Sequence, residues 1–145
     1  MSFRLTAPVP SESDIHEACA SALDTLLLRP AEWISLGIGA LKLTPAQMAR
    51  LTRVGIKPGW PDLIICYHSI YGVEIKKPGK TSRPGRLSTT RIVRTRQGAL
   101  REVTGQVEMF CRLEQAGMRI AIVTSVGEML DALMGWGVPL RPHHR

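Results

Sequence analysis

At 145 residues and 44% apolar content, the chain has the size of one compact domain and enough apolar matter to bury a core. No apolar run approaches the roughly 20 residues of a membrane-spanning helix, and the opening MSFRLTAPVPSES carries prolines where a secretory leader carries an apolar segment. The expectation is an intracellular, cytoplasmic protein with no membrane partner.

Cys19, Cys66 and Cys111 are odd in number, widely spaced and each set in an apolar run. That pattern fits buried free thiols in a reducing compartment and disfavours a disulfide scaffold or a Cys-rich zinc site. The net charge of +7 is localised: Lys77, Lys80, Arg83, Arg86, Arg91, Arg94, Arg96 and Arg101 face a single acid, Glu102, between 77 and 103. The rest of the chain balances at eleven basic and eleven acidic residues. Such a concentration suits a polyanion, with nucleic acid first among the candidates, although a solvated basic loop has the same composition.

In chain order, residues 1–10 read as an extended arm. The segment SESDIHEACASALDTLLL follows, with apolar residues at 15, 18, 19, 22, 23, 26 and 27, the spacing of one helix face. Ser11 with Asp14 three positions on resembles a helix-start cap, and Arg29-Pro30 marks the end. EWISLGIG reads as a strand, and TPAQMARLTRVG as a short helix with Thr44 as cap and Pro45 at its first position. After the Gly/Pro cluster GIKPGW, the string PDLIICYHSIYGVEIKK reads as a hairpin turning near 68–70. Residues 77–103, rich in Gly, Pro, Ser and Thr, read as a long mobile basic loop. A helix near Gln106 to Ala116, a stop at Gly117, a strand RIAIVT and a last helix opened by Ser125 and closed by glycines around Trp136 complete the pattern. The segment 138–145 reads as a frayed tail. This order predicts a single α/β domain over 1–145, with a central mixed β-sheet flanked by helices.

Three charges interrupt the strand pattern. Asp62 opens one strand of the hairpin, and Glu74 and Lys76 lie two residues apart on the next, hence on one face. Two carboxylates converging from adjacent strands form a hard-oxygen site suited to Mg²⁺ or Mn²⁺, and a neighbouring lysine can position water or neutralise charge on a phosphate. Each charge taken singly is ordinary: an Asp at a strand start is often a turn residue, and Glu-x-Lys is often an exposed ion pair. Their setting inside DLIIC and GVEIK is not, because a charge in a buried strand needs a partner or a metal. His16, His68, His143 and His144 have no regular metal-ligand spacing and read as turn, surface or tail residues.

GIKPGWPDLII followed by GVEIKKPG resembles the PD-(D/E)XK nuclease superfamily, and more narrowly its virus-type replication-repair nuclease (VRR-NUC) domain. The resemblance continues through TGQVEMFCRLEQAGMRIAIVTS and spans most of residues 11 to 130. It implies a restriction-endonuclease-like core and a bacterial or phage-encoded Mg²⁺ or Mn²⁺ dependent DNA endonuclease, structure-specific for branched DNA such as flaps or Holliday junctions, in replication, repair or recombination. By the same resemblance Asp62, Glu74 and the backbone carbonyl of Ile75 ligate the metal, Lys76 acts on the attacking water, and Gln106 orients either from the helix. A first-helix glutamate also belongs to the pattern; at 100° per residue Glu12 falls near the apolar stripe and Glu17 nearly opposite, so Glu12 is the choice.

Trp60 either packs on the core or stacks on a displaced base. Symmetric cutting of a junction needs two active centres, which makes a homodimer the expected assembly. Lys77, Lys80, Arg83, Arg86, Arg91, Arg94 and Arg96 are the expected DNA contacts. The alternatives are a non-catalytic basic module with a decayed nuclease site, and a restriction-type nuclease that reads base sequence with its 77–103 arm.

Overall fold

The structure, a computed structural model, describes residues 8–38, 41–79 and 86–142. Its elements are α1 (Glu12–Leu26), β1 (Glu32–Ser35), α2 (Pro45–Arg53), β2 (Leu63–Tyr67), β3 (Ser69–Ile75), β4 (Arg91–Arg94), β5 (Leu100–Val103), α3 (Gln106–Gln115), β6 (Arg119–Val123) and α4 (Val126–Gly135). It is an α/β fold in which a mixed four-stranded sheet of order β1-β2-β3-β6 is flanked by helices. The first two pairings are antiparallel, and β3 with β6 is parallel.

Local chemistry sets the helix starts. Ser11 accepts from the Asp14 N–H while the Asp14 carboxylate accepts from the Ser11 N–H, and Thr44 and Gln47 repeat this capping box at α2, with Pro45 in its first turn. Ser125 caps α4 by accepting from the Glu128 N–H.

Strand alternation then sorts the side chains. Leu63, Ile65, Val73, Ile75 and Val123 enter the larger core with Ile15, Cys19 and Leu23 of α1 and Met129 and Leu133 of α4. On the other face Ile64 packs with Met109 and Leu113 of α3 and with Met118. Gly72 shares this second face and brings the sheet against Pro61 and Met118; a Cβ there would lie 2.7 Å from Pro61 Cγ. His68, at φ 52°, turns the chain between Tyr67 and Ser69 and fixes the β2–β3 register.

Three expectations are corrected. The 77–103 segment is not a loop throughout: β4 and β5 form an antiparallel ribbon whose turn is closed by the Thr95 N–H on the Ala99 carbonyl and by Gly98 at φ +80°. Its Gly/Pro content masked two short runs, RIVR and LREV, each too short for alternation to stand out. Cys66 and Cys111 are exposed and only Cys19 is buried: strand and helix periodicity carry the first two to solvent despite apolar neighbours. The tail is paired as far as Arg141, with Leu28 and Arg141 N–H groups donating to Pro139 and Leu26 carbonyls and Val138 buried. Residues 1–7 of the expected arm, Lys80, Arg83, His143 and His144 lie outside the described residues. No helix among the described residues is long and apolar enough to cross a membrane.

Helix α3 is capped from outside its own segment. Gly105 makes no side-chain cap; instead its N–H donates to Thr90 Oγ1, the Gln106 N–H donates to Ser88 Oγ and the Val107 N–H donates to the Ser88 carbonyl. The root of the basic arm thus satisfies the orphan donors of α3. Gly105 permits this contact, since a Cβ there would stand 2.2 Å from the Thr89 carbonyl carbon and 2.4 Å from the Thr90 nitrogen. Backbone cannot swing aside as a side chain can. Gly105→Ala is therefore expected to cost about 1–3 kcal/mol in urea unfolding, whereas Gly127→Ala on α4, where a Cβ meets nothing nearer than Ser125 Oγ at 3.9 Å, should gain roughly 0.5 kcal/mol.

Candidate active site

The β2–β3 register pairs Leu63 with Val73, and its continuation sets Asp62 opposite Glu74 on the α3 face. Glu74 is 1% exposed, the sole charged side chain in the buried set of the described residues. Its Oε1 receives Lys76 Nζ at 2.6 Å and Gln106 Nε2, while Lys76 Nζ also donates to Gln106 Oε1 at 3.2 Å. The Ser88 N–H donates to the same Gln106 oxygen at 3.2 Å. Glu74 Oε2 is buried with no hydrogen-bond partner, an arrangement that costs the desolvation of a carboxylate oxygen unless something else supplies positive charge.

Asp62 stands immediately before β2, where its own carbonyl accepts the Leu36 N–H at 2.7 Å. Its Oδ2 accepts the Ile75 N–H at 2.8 Å, and no hydrogen bond among the described residues engages Oδ1. Because the N–H and C=O of one strand residue point to the same side, the Ile75 carbonyl faces the Asp62 side as well, while the neighbouring Lys76 N–H turns to β6 and the Val123 carbonyl.

Asp62, Glu74, Lys76 and Gln106 line a cavity of about 730 Å³, and Glu12 reaches it from the first turn of α1. The remaining wall is largely apolar, formed by Leu36, Ile38, Leu41, Leu43, Met48 and Trp60. Glu17 is exposed and outside this lining. Glu12 lines the cavity and Glu17 does not, but Glu12 completes no cluster: among the described residues no three His, Cys, Asp or Glu side chains gather closely enough to hold an ion. The donor set for a hard cation is therefore two carboxylates with free oxygens and one carbonyl. That suits Mg²⁺ or Mn²⁺, which bind through one or two carboxylates and retain several waters.

Of the expected DNA contacts, Lys77, Arg86, Arg91, Arg94 and Arg96 are exposed. The arm's root meets the cavity through Ser88 and Gln106. Ser88, Thr90 and Gly105 went unnoticed in the sequence: two hydroxyl residues inside a Ser/Thr-rich stretch carry no signal of distant partners. Comparison with protein-family models, with curated proteins and with solved structures finds no match to the chain.

Burial, and then the charge of Asp62, push the Glu74 carboxyl up from 4.5 to about 7, against the opposing pull of Lys76 and Gln106. Between those two values the folded chain holds a proton that the unfolded chain has released, so stability falls as pH rises through this window. In EDTA the melting temperature should drop between pH 5 and pH 7.5, reflecting a loss of up to about 3 kcal/mol. Glu74→Gln should abolish that dependence. An unchanged pH profile in the variant would show that another group causes the slope.

Proposed function

We propose that this protein is a Mg²⁺ or Mn²⁺ dependent DNA endonuclease with a restriction-endonuclease-like core of the VRR-NUC type, acting on branched DNA. The observation that carries the reading is the unpartnered Glu74 oxygen, buried opposite Asp62 and beside Lys76 in one open cavity. A buried oxygen left unmatched in an otherwise hydrogen-bonded site is what a carboxylate that receives a cation would present, and it supports this reading.

The cation would be held by Asp62, Glu74 and the Ile75 carbonyl, and when bound it supplies Lewis acidity toward a phosphate oxygen and lowers the pKa of a coordinated water. The chain's own groups do the remaining work. Lys76, a donor and never an acceptor while charged, orients water with its ammonium or stabilises the charge that develops on the phosphate. Gln106 holds Lys76 and Glu74 in a fixed mutual geometry, and Ser88 holds Gln106. The exposed arginines of the 86–96 segment supply sequence-independent contact with phosphates.

That no third His, Cys, Asp or Glu gathers with the pair among the described residues favours one rival, a basic binding module whose centre does not hold metal. A divalent cation that binds the fold must raise its melting temperature, which the rival forbids. A second rival, a nuclease that reads base sequence, gains from the β4–β5 ribbon, since a two-stranded ribbon fits the major groove.

With end-labelled single-stranded, duplex, flap, fork and four-way-junction DNA, cutting is expected with Mg²⁺ or Mn²⁺, not with EDTA, and preferentially at branch points. Asp62→Ala and Lys76→Ala should each reduce it at least about a hundredfold. Tight binding without cutting would favour the binding module, and cuts that track sequence on plain duplex would favour the restriction-type reading. Light scattering with and without junction DNA tests the homodimer; monomer throughout would remove it.

A further inference from the structure

The acid centre makes up only part of the lining of its cavity. Leu41, Leu43, Met48 and Trp60 line an apolar hollow in the same cavity, with Leu41 61%, Met48 40% and Trp60 36% exposed. Apolar side chains left open to water in one concave wall are costly to keep unless something apolar visits them. The whole cavity, at about 730 Å³, lies within the roughly 300–1,000 Å³ of small-ligand sites.

Three observations point to the occupant. The hollow is continuous with the Asp62–Glu74 pair, so whatever fills it also reaches the acid centre. The charge excess of the chain lies in the arm whose root, Ser88, grips Gln106 at the cavity wall, so a polyanion following the arm arrives at this opening. A polynucleotide is the polyanion that couples each phosphate to a flat apolar ring, and Trp60, two residues before Asp62, supplies a ring face of the kind bases stack on. A base inside a duplex cannot enter; one that is unpaired or extruded can.

We propose that the apolar half of the cavity is a subsite for one unpaired nucleobase of the strand whose phosphate lies at the Asp62–Glu74 pair, so that the substrate carries an unpaired nucleotide at the cut. This rests on the nuclease reading and narrows it: the branch is recognised by a base displaced from its stack, with Trp60 as the stacking platform and the hydrophobic wall as its bed. The subsite reads no base edge and accepts all four bases.

The test uses the full chain with Ca²⁺ in place of Mg²⁺ and a set of flap oligonucleotides that differ only in which unpaired nucleotide near the branch is abasic or 2-aminopurine. At one position, removal of the base should weaken wild-type binding about tenfold, and 2-aminopurine at that position should be quenched on binding. Trp60→Ala should weaken binding of the intact flap by a similar factor and lose little more with the abasic flap, because both changes remove the same contact. If Trp60→Ala fails to fold, the exposed-site variant Leu41→Ser/Met48→Ser gives the same non-additive pattern.

Equal affinity for every abasic flap, or losses that simply multiply, would overturn the subsite. So would a lowered melting temperature in Trp60→Ala with unchanged binding, since the ring would then be packing within the chain itself. Cutting of the intact flap by wild type in Mg²⁺ is scored separately. Absence of cutting sinks the nuclease reading, whereas cutting that is indifferent to the missing base sinks only the subsite.

Discussion

A carboxylate buried to 1% exposure in the middle of a sheet is the constraint around which this molecule is arranged. Taken from water without partners, an ionised Glu74 costs several kcal/mol, more than most single interactions return. The chain meets that cost with groups from three separate stretches. Lys76 comes from the residue just past the end of the same strand, Gln106 from a helix thirty-two residues away, and Ser88 from the basic arm behind Gln106. Because Gln106 is the first residue of α3, fixing it fixes where the helix begins. Because Ser88 and Thr90 also take the first N–H groups of α3, the arm's root is tied to the same point. One acid thus couples the sheet, the helix and the arm.

The backbone makes that coupling geometrically exacting. A slip of one residue between β2 and β3 would carry Asp62 to the α1 face, away from Glu74, and would take Leu63 and Ile65 out of the larger core to the α3 face. The tight turn at His68 and the close approach at Gly72 resist the slip from one end and from the middle. At the other end the Asp62 carboxylate takes the Ile75 N–H itself. The acid therefore locks the register that positions it. Parallel pairing of β3 with β6 adds the second edge, so that Glu74 lies on a central strand, buried, and lines the cavity.

Much of this was legible in the sequence because it is written in short-range chemistry. Ser11 with Asp14, Thr44 with Pro45, and Ser125 are caps whose partners lie within four residues, and each helix starts at its cap. The two apolar, β-branched runs on either side of a short connection pointed to the hairpin, and the hairpin brings Asp62, Glu74 and Lys76 to one cavity. What escaped depends on distance along the chain. Thr90 and Ser88 matter only because Gly105 and Gln106, some fifteen to eighteen residues later, fold beneath them. The ribbon of β4 and β5 is four residues a side, and two short strands carry too little alternation to outweigh the glycines and prolines before them. Cys66 and Cys111 show the complementary failure, in which apolar neighbours suggested burial but strand and helix phase decided the outcome.

The balance of charge at the centre explains why the site is poised and not merely stabilised. Asp62, Glu74 and Lys76 together carry one excess negative charge when all are ionised, and the two hydrogen-bond donors available to Glu74 both go to Oε1. Oε2 is left to take either a proton or a cation, and burial together with the charge of Asp62 pushes the Glu74 carboxyl up to about 7. A chain selected only for stability would place an apolar side chain here, since a well-packed replacement for a buried ionic group is often neutral or better. Retaining the acid, opposing it with a second acid and opening both onto a cavity all oppose stability in the same place. Such clustering of unfavourable terms in one place is what the proposed metal site would account for.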